Sequence, residues 1–391
     1  MGSTASQSQI GKRPQLSAPR KQSKGPTLLT ILLALLAVIA LLRLIDAIHM
    51  AYPANIVSNC ADLIRNNDYT KNIPQLTRTQ QITAVQLVNE LTGGQPAAMV
   101  QVADTSAQQL LDIYIYGCSM QHPIPTLALL FKQQRLVEGT AVITQAHTLS
   151  IGQLDTSLGP DADTQLLSLQ QNVYHEYRWL KGALVQTVFP ALYPVTSRSE
   201  AEELQDQANK GALPWDDPLT TAKQMAQDLF HWPDSAVHAT LQDRNTTTAH
   251  VLLVHNKPRL EVTVTLNRLI QHTNGGLWFV TAAHTAGITI DQTPVPIPIA
   301  SPMTVQGTMK HITGHVDMQL FDHTLTPLHK PAQAKHPTLP AFTVQANGRY
   351  TATISYSNPM PNQSGLLLIE ETPSEKSKDS GLLLLTSVLL G

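Results

Sequence analysis

The feature that most narrows what this chain can fold into is "TLLTILLALLAVIALLRLIDAIHM", residues 27–50. An uncharged apolar run extends from Leu28 to Leu42 and continues through Leu44, Ile45, Ala47 and Ile48, with Arg43 and Asp46 near one end. With its continuation the run reaches the ~20 residues that a bilayer-spanning helix needs. Lys12, Arg13, Arg20, Lys21 and Lys24 precede it, and residues 1–26 contain no acid. That asymmetry predicts a basic arm kept in the cytoplasm and a C-terminal body outside the cell membrane. The same apolar core has the length of a signal-peptide h-region. However, Ala51 and Ala54 have His49 and Tyr52 two positions before them, a poor cleavage site, and Asn59 before Cys60 is a poor lipoprotein site. The expectation is an uncleaved, single-pass signal anchor held in the lipid bilayer, behind a disordered arm at 1–26.

Beyond the anchor the charge balance reverses. Removing the five basic residues of the arm and the Arg43/Asp46 pair from 26 basic and 28 acidic residues leaves 20 against 27 in 50–391. A body with a net charge of −7 offers no basic stripe to follow phosphates, so nucleic acid is not an expected partner. Cys60 and Cys118 are the chain's two cysteines. In an exported body a disulfide between them is chemically allowed. It would close a loop of nearly sixty residues, worth about 4 kcal/mol in the loop-entropy model. Two buried thiols acting as small hydrophobes are the other reading, and the sequence leaves both open.

The body divides by pattern. "NIVSNCADLIRNN" places Ile56, Cys60, Leu63 and Ile64 on one helical face, and "TQQITAVQLVNELTGG" does the same with Ile82, Val85, Val88 and Leu91. Strand-like runs follow as far as "YRWLKGALVQTVF", giving a first α+β module at 51–196. At 197–214 comes a polar connecting helix, with Ser197 and Glu200 (or Ser199 and Glu202) spaced for a capping box. In a second α+β module, 215–290, Asp217 caps and Pro218 opens a helix whose stripe is Leu219, Ala222, Met225, Ala226, Leu229 and Phe230. Strands return in "RLEVTVTLNRLI", where Leu260, Val262, Val264 and Leu266 alternate with polar residues to give one wet face. In their order of helix, curved antiparallel strands and Trp-bearing strand, both modules resemble cystatin-like and nuclear-transport-factor-2-like domains. "DQTPVPIPIASP" then predicts an extended proline-rich linker at 291–302.

From 303 to 391 the pattern is strand and turn, which predicts an immunoglobulin-like β-sandwich. The series "SPMTVQGTMKHITGHVDMQLFD", "ANGRYTATISYS" and "GLLLIEETPSEKSKDSG" resembles the bacterial spore-germination immunoglobulin-like domain. The matching positions are Ser301, Pro302, Val305, Gly307, Gly314, Val316, Asp322, Glu370, Lys378 and Asp379. The chain departs from that pattern at Ser380, before Gly381, and by the insert "PLHKPAQAKHPTLP" at 327–340. The resemblance covers about a quarter of the chain. It implies an exported or membrane-anchored interaction module without catalytic residues.

Several residue groups have a chemical reading as well as a structural one. His311, His315, Asp317, Asp322 and His323 are competent metal ligands, but alternation places His315 and Asp317 on a wet sheet face, no close ligand pair recurs to complete a shell, and no metal or cofactor is expected. His175, Glu176, Tyr177 and Arg178 would suit an acid–base cluster; the reading taken is an aromatic strand with its polar residues facing water. Asp216 and Asp217 are read as helix capping and not as a general acid–base pair. No nucleophile elbow, phosphate-binding loop, zinc-protease motif or paired-cysteine motif is present, so no catalytic residue is assigned and an enzyme is not expected. The tail "GLLLLTSVLLG" is read as a sandwich strand in preference to a lipid-anchor signal. Asn245 and Asn362 are formal glycosylation acceptors. Together these readings predict a membrane-anchored, extracytoplasmic, non-catalytic binding or scaffolding protein in bacterial envelope or spore-related assembly, with an envelope protein or wall partner. The alternative is a small hydrophobic ligand held in a cavity of one α+β module, for which Trp179, Trp215, Trp232, Trp278 and Phe189 are candidate lining residues.

Overall fold

The computed structural model describes residues 53–73, 76–105, 109–119, 125–156, 172–211, 213–291, 298–310, 312, 314–328, 341–357, 360–373 and 380–391. The expected arm and anchor, with Leu28 and Leu42, lie outside these residues, as do His311 and residues 292–297 of the proline-rich stretch. Among the described residues no helix is long and apolar enough to cross a membrane. The chain divides into two compact units, Met1–Ser58 and Asn59–Gly391. The second is mostly antiparallel β-sheet with few helices.

The first sheet runs in chain order: β1 (Gln80–Leu87), β2 (Ala97–Asp104), β3 (Leu110–Ser119) and β4 (Thr126–Val137). A second sheet follows the same rule with β5 (Thr140–Ile143), β6 (Leu149–Leu154), β7 (Asn172–Leu180) and β8 (Ala183–Thr187). Met99, Ile113 and Ile115 on one face of the first sheet pack against Leu149, Ile151 and Tyr177 of the second. The other face, with Ala98, Val100, Tyr114 and Tyr116, receives Ile64 of helix α1 (Pro53–Asn66) and then Tyr69 and Ile73. Being covered on both sides, β2 and β3 carry apolar residues at consecutive positions instead of alternating ones.

The expected helix over "TQQITAVQLVNELTGG" is instead strand β1 followed by a turn. A β-bulge between Ile82 and Ala84 explains the misleading spacing. It shifts the alternation by one residue, so Ile82, Val85 and Leu87 fall on the same face, and the apolar spacing imitates a helical one. Val88 and Leu91 then turn into the core between the two sheets.

Helix α2 (Arg198–Ala208) has Ser197 as its N-cap, with Ser197 Oγ accepting from the Glu200 amide at 3.3 Å. Helix α3 (Pro218–Phe230) starts with Asp217 Oδ2 accepting from the Thr220 amide at 2.9 Å. The stripe of α3 lies on β9 (Val237–Arg244), β10 (Thr248–Asn256), β11 (Arg259–Asn267) and β12 (Phe279–His284). Leu260, Val262, Val264 and Leu266 of β11 are fully buried, and the alternate residues are exposed or half-buried.

Strand β12 pairs onward with β19 (Leu382–Leu390) through Ala283–Leu385 and His284–Leu384. The sheet then continues through β18 (Gln363–Thr372) to β15 (His315–Phe321), giving seven strands in the order β15-β18-β19-β12-β11-β10-β9. A four-stranded sheet, β13 (Ile288–Ile290), β14 (Met303–Met309), β17 (Arg349–Ile354) and β16 (Ala341–Val344), covers the β15-β18-β19 portion. Leu366 and Leu368 of β18 belong to the core beneath α3, while Leu367 and Ile369 belong to the core against the four-stranded sheet. Burial on both faces explains the unbroken apolar runs of β18 and β19.

Candidate functional site

A group of buried ionisable side chains lies where β6, β7, the start of α2 and the turn after β15 meet. Asp155 follows β6 directly, His175 and Glu176 are central in β7, Arg198 and Glu200 open α2, and His323 follows β15 by two residues. His175, Glu176, Glu200, Asp155 and His323 are all buried.

Each is held by a definite contact. His323 Nε2 lies 3.0 Å from Asp155 Oδ2, joining positions 168 residues apart. The His323 amide donates to Gln363 Oε1 of β18, and its carbonyl accepts from Thr196 Oγ1. Glu176 Oε1 accepts from Thr148 Oγ1 at 2.7 Å and from Arg198 Nε at 2.6 Å. The Arg198 guanidinium also lies 5.0 Å from the centre of the Phe189 ring. Ser197 Oγ donates to Glu200 Oε2 at 2.6 Å. Gln186 of β8 donates to the Asn362 carbonyl just before β18. Among the described residues, four buried atoms of the group have no hydrogen-bond partner: His175 Nδ1, Glu176 Oε2, Glu200 Oε1 and His323 Nδ1.

Burial shifts the protonation of Glu200 and His175. It pushes the Glu200 carboxyl up to about 7, with the Ser197 hydrogen bonds and the field of His323 pulling the other way. Burial also pulls His175 below its usual value; the hydrogen bond to the Asn362 backbone opposes this and nearby His323 adds to it. Low dielectric therefore favours an uncharged acid and an uncharged imidazole in the same region.

One sequence expectation changes here. His175 and Glu176 do not face water, because α2 and the Asn362–Gln363 end of β18 cover this part of β7. His315 and Asp317 are exposed as alternation predicts, whereas Asp322 and His323, beyond the end of β15, are buried. Asp322 Oδ1 accepts from the amides of Thr324 and Thr326 and builds the turn that carries His323 inward. Among the described residues no group of three or more His, Cys, Asp or Glu is placed to hold a metal ion. Asp155 and Glu200 escaped sequence reasoning as members of a cluster. Glu200 had a local signal, the capping-box spacing, but nothing local marks a partner 168 residues away.

The other candidates separate. Cys60 and Cys118 form a disulfide with Cα atoms 5.7 Å apart. Trp232, Trp278 and Phe189 are core residues, whereas Trp179 and Trp215 are half-buried. Trp278 lies beneath two guanidiniums, Arg268 at 4.5 Å and Arg244 at 5.2 Å from its ring centre. Two surface hollows, of about 720 and 430 Å³, lie near the ends of β2 and β3 and between the ends of β1 and β5. Both are open to solvent, and none of the five candidate aromatics lines either. No protein-family model matches the chain, and no characterised protein matches it.

Proposed function

We propose that the chain is a membrane-anchored, extracytoplasmic scaffolding or binding protein without catalytic activity, serving bacterial envelope or spore-related assembly. In this reading the body comprises helix-on-sheet modules followed by an immunoglobulin-like sandwich of the spore-germination type. The observation that carries it is the Cys60–Cys118 disulfide, a short way beyond an apolar run with five basic residues in front. Disulfides persist in oxidising compartments, so the staple and the charge asymmetry support the same topology. Support for a non-catalytic role comes from the burial of all five side chains of the acid–base group, Asp155, His175, Glu176, Glu200 and His323. Its contacts instead bind the β5–β8 sheet to α2 and to the end of β18.

The test is the topology and behaviour of the full chain in bacterial membranes. A Ser8→Cys probe in the arm should resist a membrane-impermeant maleimide in intact cells, while an Asn256→Cys probe at the exposed end of β10 should react. In situ photo-crosslinking from the body should then trap an envelope protein or wall polymer. Labelling of Ser8→Cys alone, or a reduced Cys60–Cys118 pair in cells, would overturn the topology. A co-purifying small apolar molecule in stoichiometric amount would overturn the scaffold reading. A cut at Asp291 is unsuitable as a test, because it removes β15, β18 and β19 from the seven-stranded sheet.

A further inference from the structure

Eight large apolar side chains are prominently exposed among the described residues. Scattered apolar residues are normal on any surface. Three of these eight, however, belong together. Leu87 is opposite Ala98, Ala98 is opposite Tyr116, and Tyr116 is opposite Leu129. Directly opposed residues in antiparallel strands share a face, and Ala98 and Tyr116 lie in the core beneath α1. Val85, opposite Val100 of the same core, lies on that face too. Val85, Leu87 and Leu129, exposed by 50%, 46% and 50%, therefore form the uncovered margins of one apolar band. Three strand spacings, roughly 14 Å, separate its two sides.

The band lies at one end of the sheet. Tyr116 is two residues before Cys118, and β3 ends at Ser119. Cys60 is fixed here by the disulfide, while Ile64 packs onto the same face. Residues N-terminal to Cys60 lead back to the apolar run, and Ile48 precedes Cys60 by only 12 residues. Even fully extended, that length spans no more than about 40 Å. Lys132, opposite Tyr114 on the same face, is exposed and suits an anionic lipid surface. Three half-exposed side chains are too few to capture a membrane from solution. A tether this short makes the encounter intramolecular, and a small apolar area then suffices.

We propose that this end of the body, through Val85, Leu87 and Leu129, rests on the lipid surface that holds the anchor, a placement that depends on the anchored topology proposed above. The folded body is then oriented by two attachments, the anchor and the band, and its far strands are presented away from the membrane.

The test uses the full chain reconstituted in phosphatidylcholine–phosphatidylglycerol vesicles. Leu87→Cys and Leu129→Cys, each labelled with an environment-sensitive fluorophore, are compared with Leu241→Cys on β9. Lipids carrying a spin label should quench the probes at 87 and 129 several-fold and leave the probe at 241 unchanged. Equal response at all three positions in protein that floats with the vesicles would overturn the docking and leave the anchor intact. Failure to float would overturn both. Spontaneous cross-linking of unlabelled Leu87→Cys between copies would assign the band to a second copy of the chain and overturn the lipid assignment.

Discussion

Replacing Glu200 by glutamine should raise stability at alkaline pH and not at acid pH. Glu200 is 2% exposed, and its carboxyl is pushed up to about 7 from an ordinary 4.5. A raised carboxyl means that the folded chain holds the proton more tightly than the unfolded chain does. Between about 4.5 and 7 the native state carries that proton and the unfolded state has lost it, so this group's contribution to stability falls as pH rises. At ~1.4 kcal/mol per pH unit, the full window amounts to about 3 kcal/mol. Glutamine imitates the protonated acid and keeps an oxygen for Ser197 Oγ, which donates to Glu200 Oε2 at 2.6 Å. Its amide nitrogen occupies the place of Oε1, which has no partner among the described residues, at a cost of about 1–2 kcal/mol at every pH. The robust quantity is therefore the change in the mutational effect between pH 4 and pH 8, about 3 kcal/mol in favour of the variant at pH 8. His175, whose lowered value works in the opposite direction, is common to both proteins and cancels. Urea unfolding with the disulfide intact at several pH values measures this directly. A Glu200→Gln effect that is the same at pH 4 and pH 8 would refute the reasoning.

Cys118→Ser should cost about 4 kcal/mol by releasing the 58-residue separation closed by the disulfide, measured as a lower unfolding midpoint that reduction of the wild type reproduces. His323→Ala should cost about 1–3 kcal/mol by removing the 3.0 Å contact of its ring with buried Asp155; a double-mutant cycle of His323→Ala with Asp155→Asn measures the coupling between the two side chains. Phe321→Ala should cost about 3–5 kcal/mol and destabilise α3 together with the C-terminal strands, since Phe321 is fully buried in their common core; hydrogen exchange across both regions checks the coupling. Gly307→Ala should force β13 from β14, because a Cβ there meets the Thr289 carbonyl oxygen and the Tyr350 ring, and a depressed melting temperature is the readout.

Much of the local structure was legible because it depends on neighbours in sequence. The Asp217–Pro218 start of α3, its apolar stripe, the Ser197–Glu200 cap and the alternation of β11 all follow from side chains within a few residues of one another. The helix expected over 79–94 failed for an equally local reason. A bulge between Ile82 and Ala84 gave strand residues a helical spacing, and single-strand periodicity cannot register a bulge.

The sequence by itself determined the apolar run with its basic flank, the mainly antiparallel character of the body, and the availability of one cysteine pair. Only the tertiary structure decided that strands before and after the proline-rich stretch share one sheet, that His175 and Glu176 turn inward, and that Asp155 meets His323. Hydrophobic period and capping are short-range properties, written within a turn or a strand. Which sheet face is covered, and which distant charge is buried beside it, depends on contacts between segments from about twenty to more than a hundred and fifty residues apart, and no local pattern encodes those.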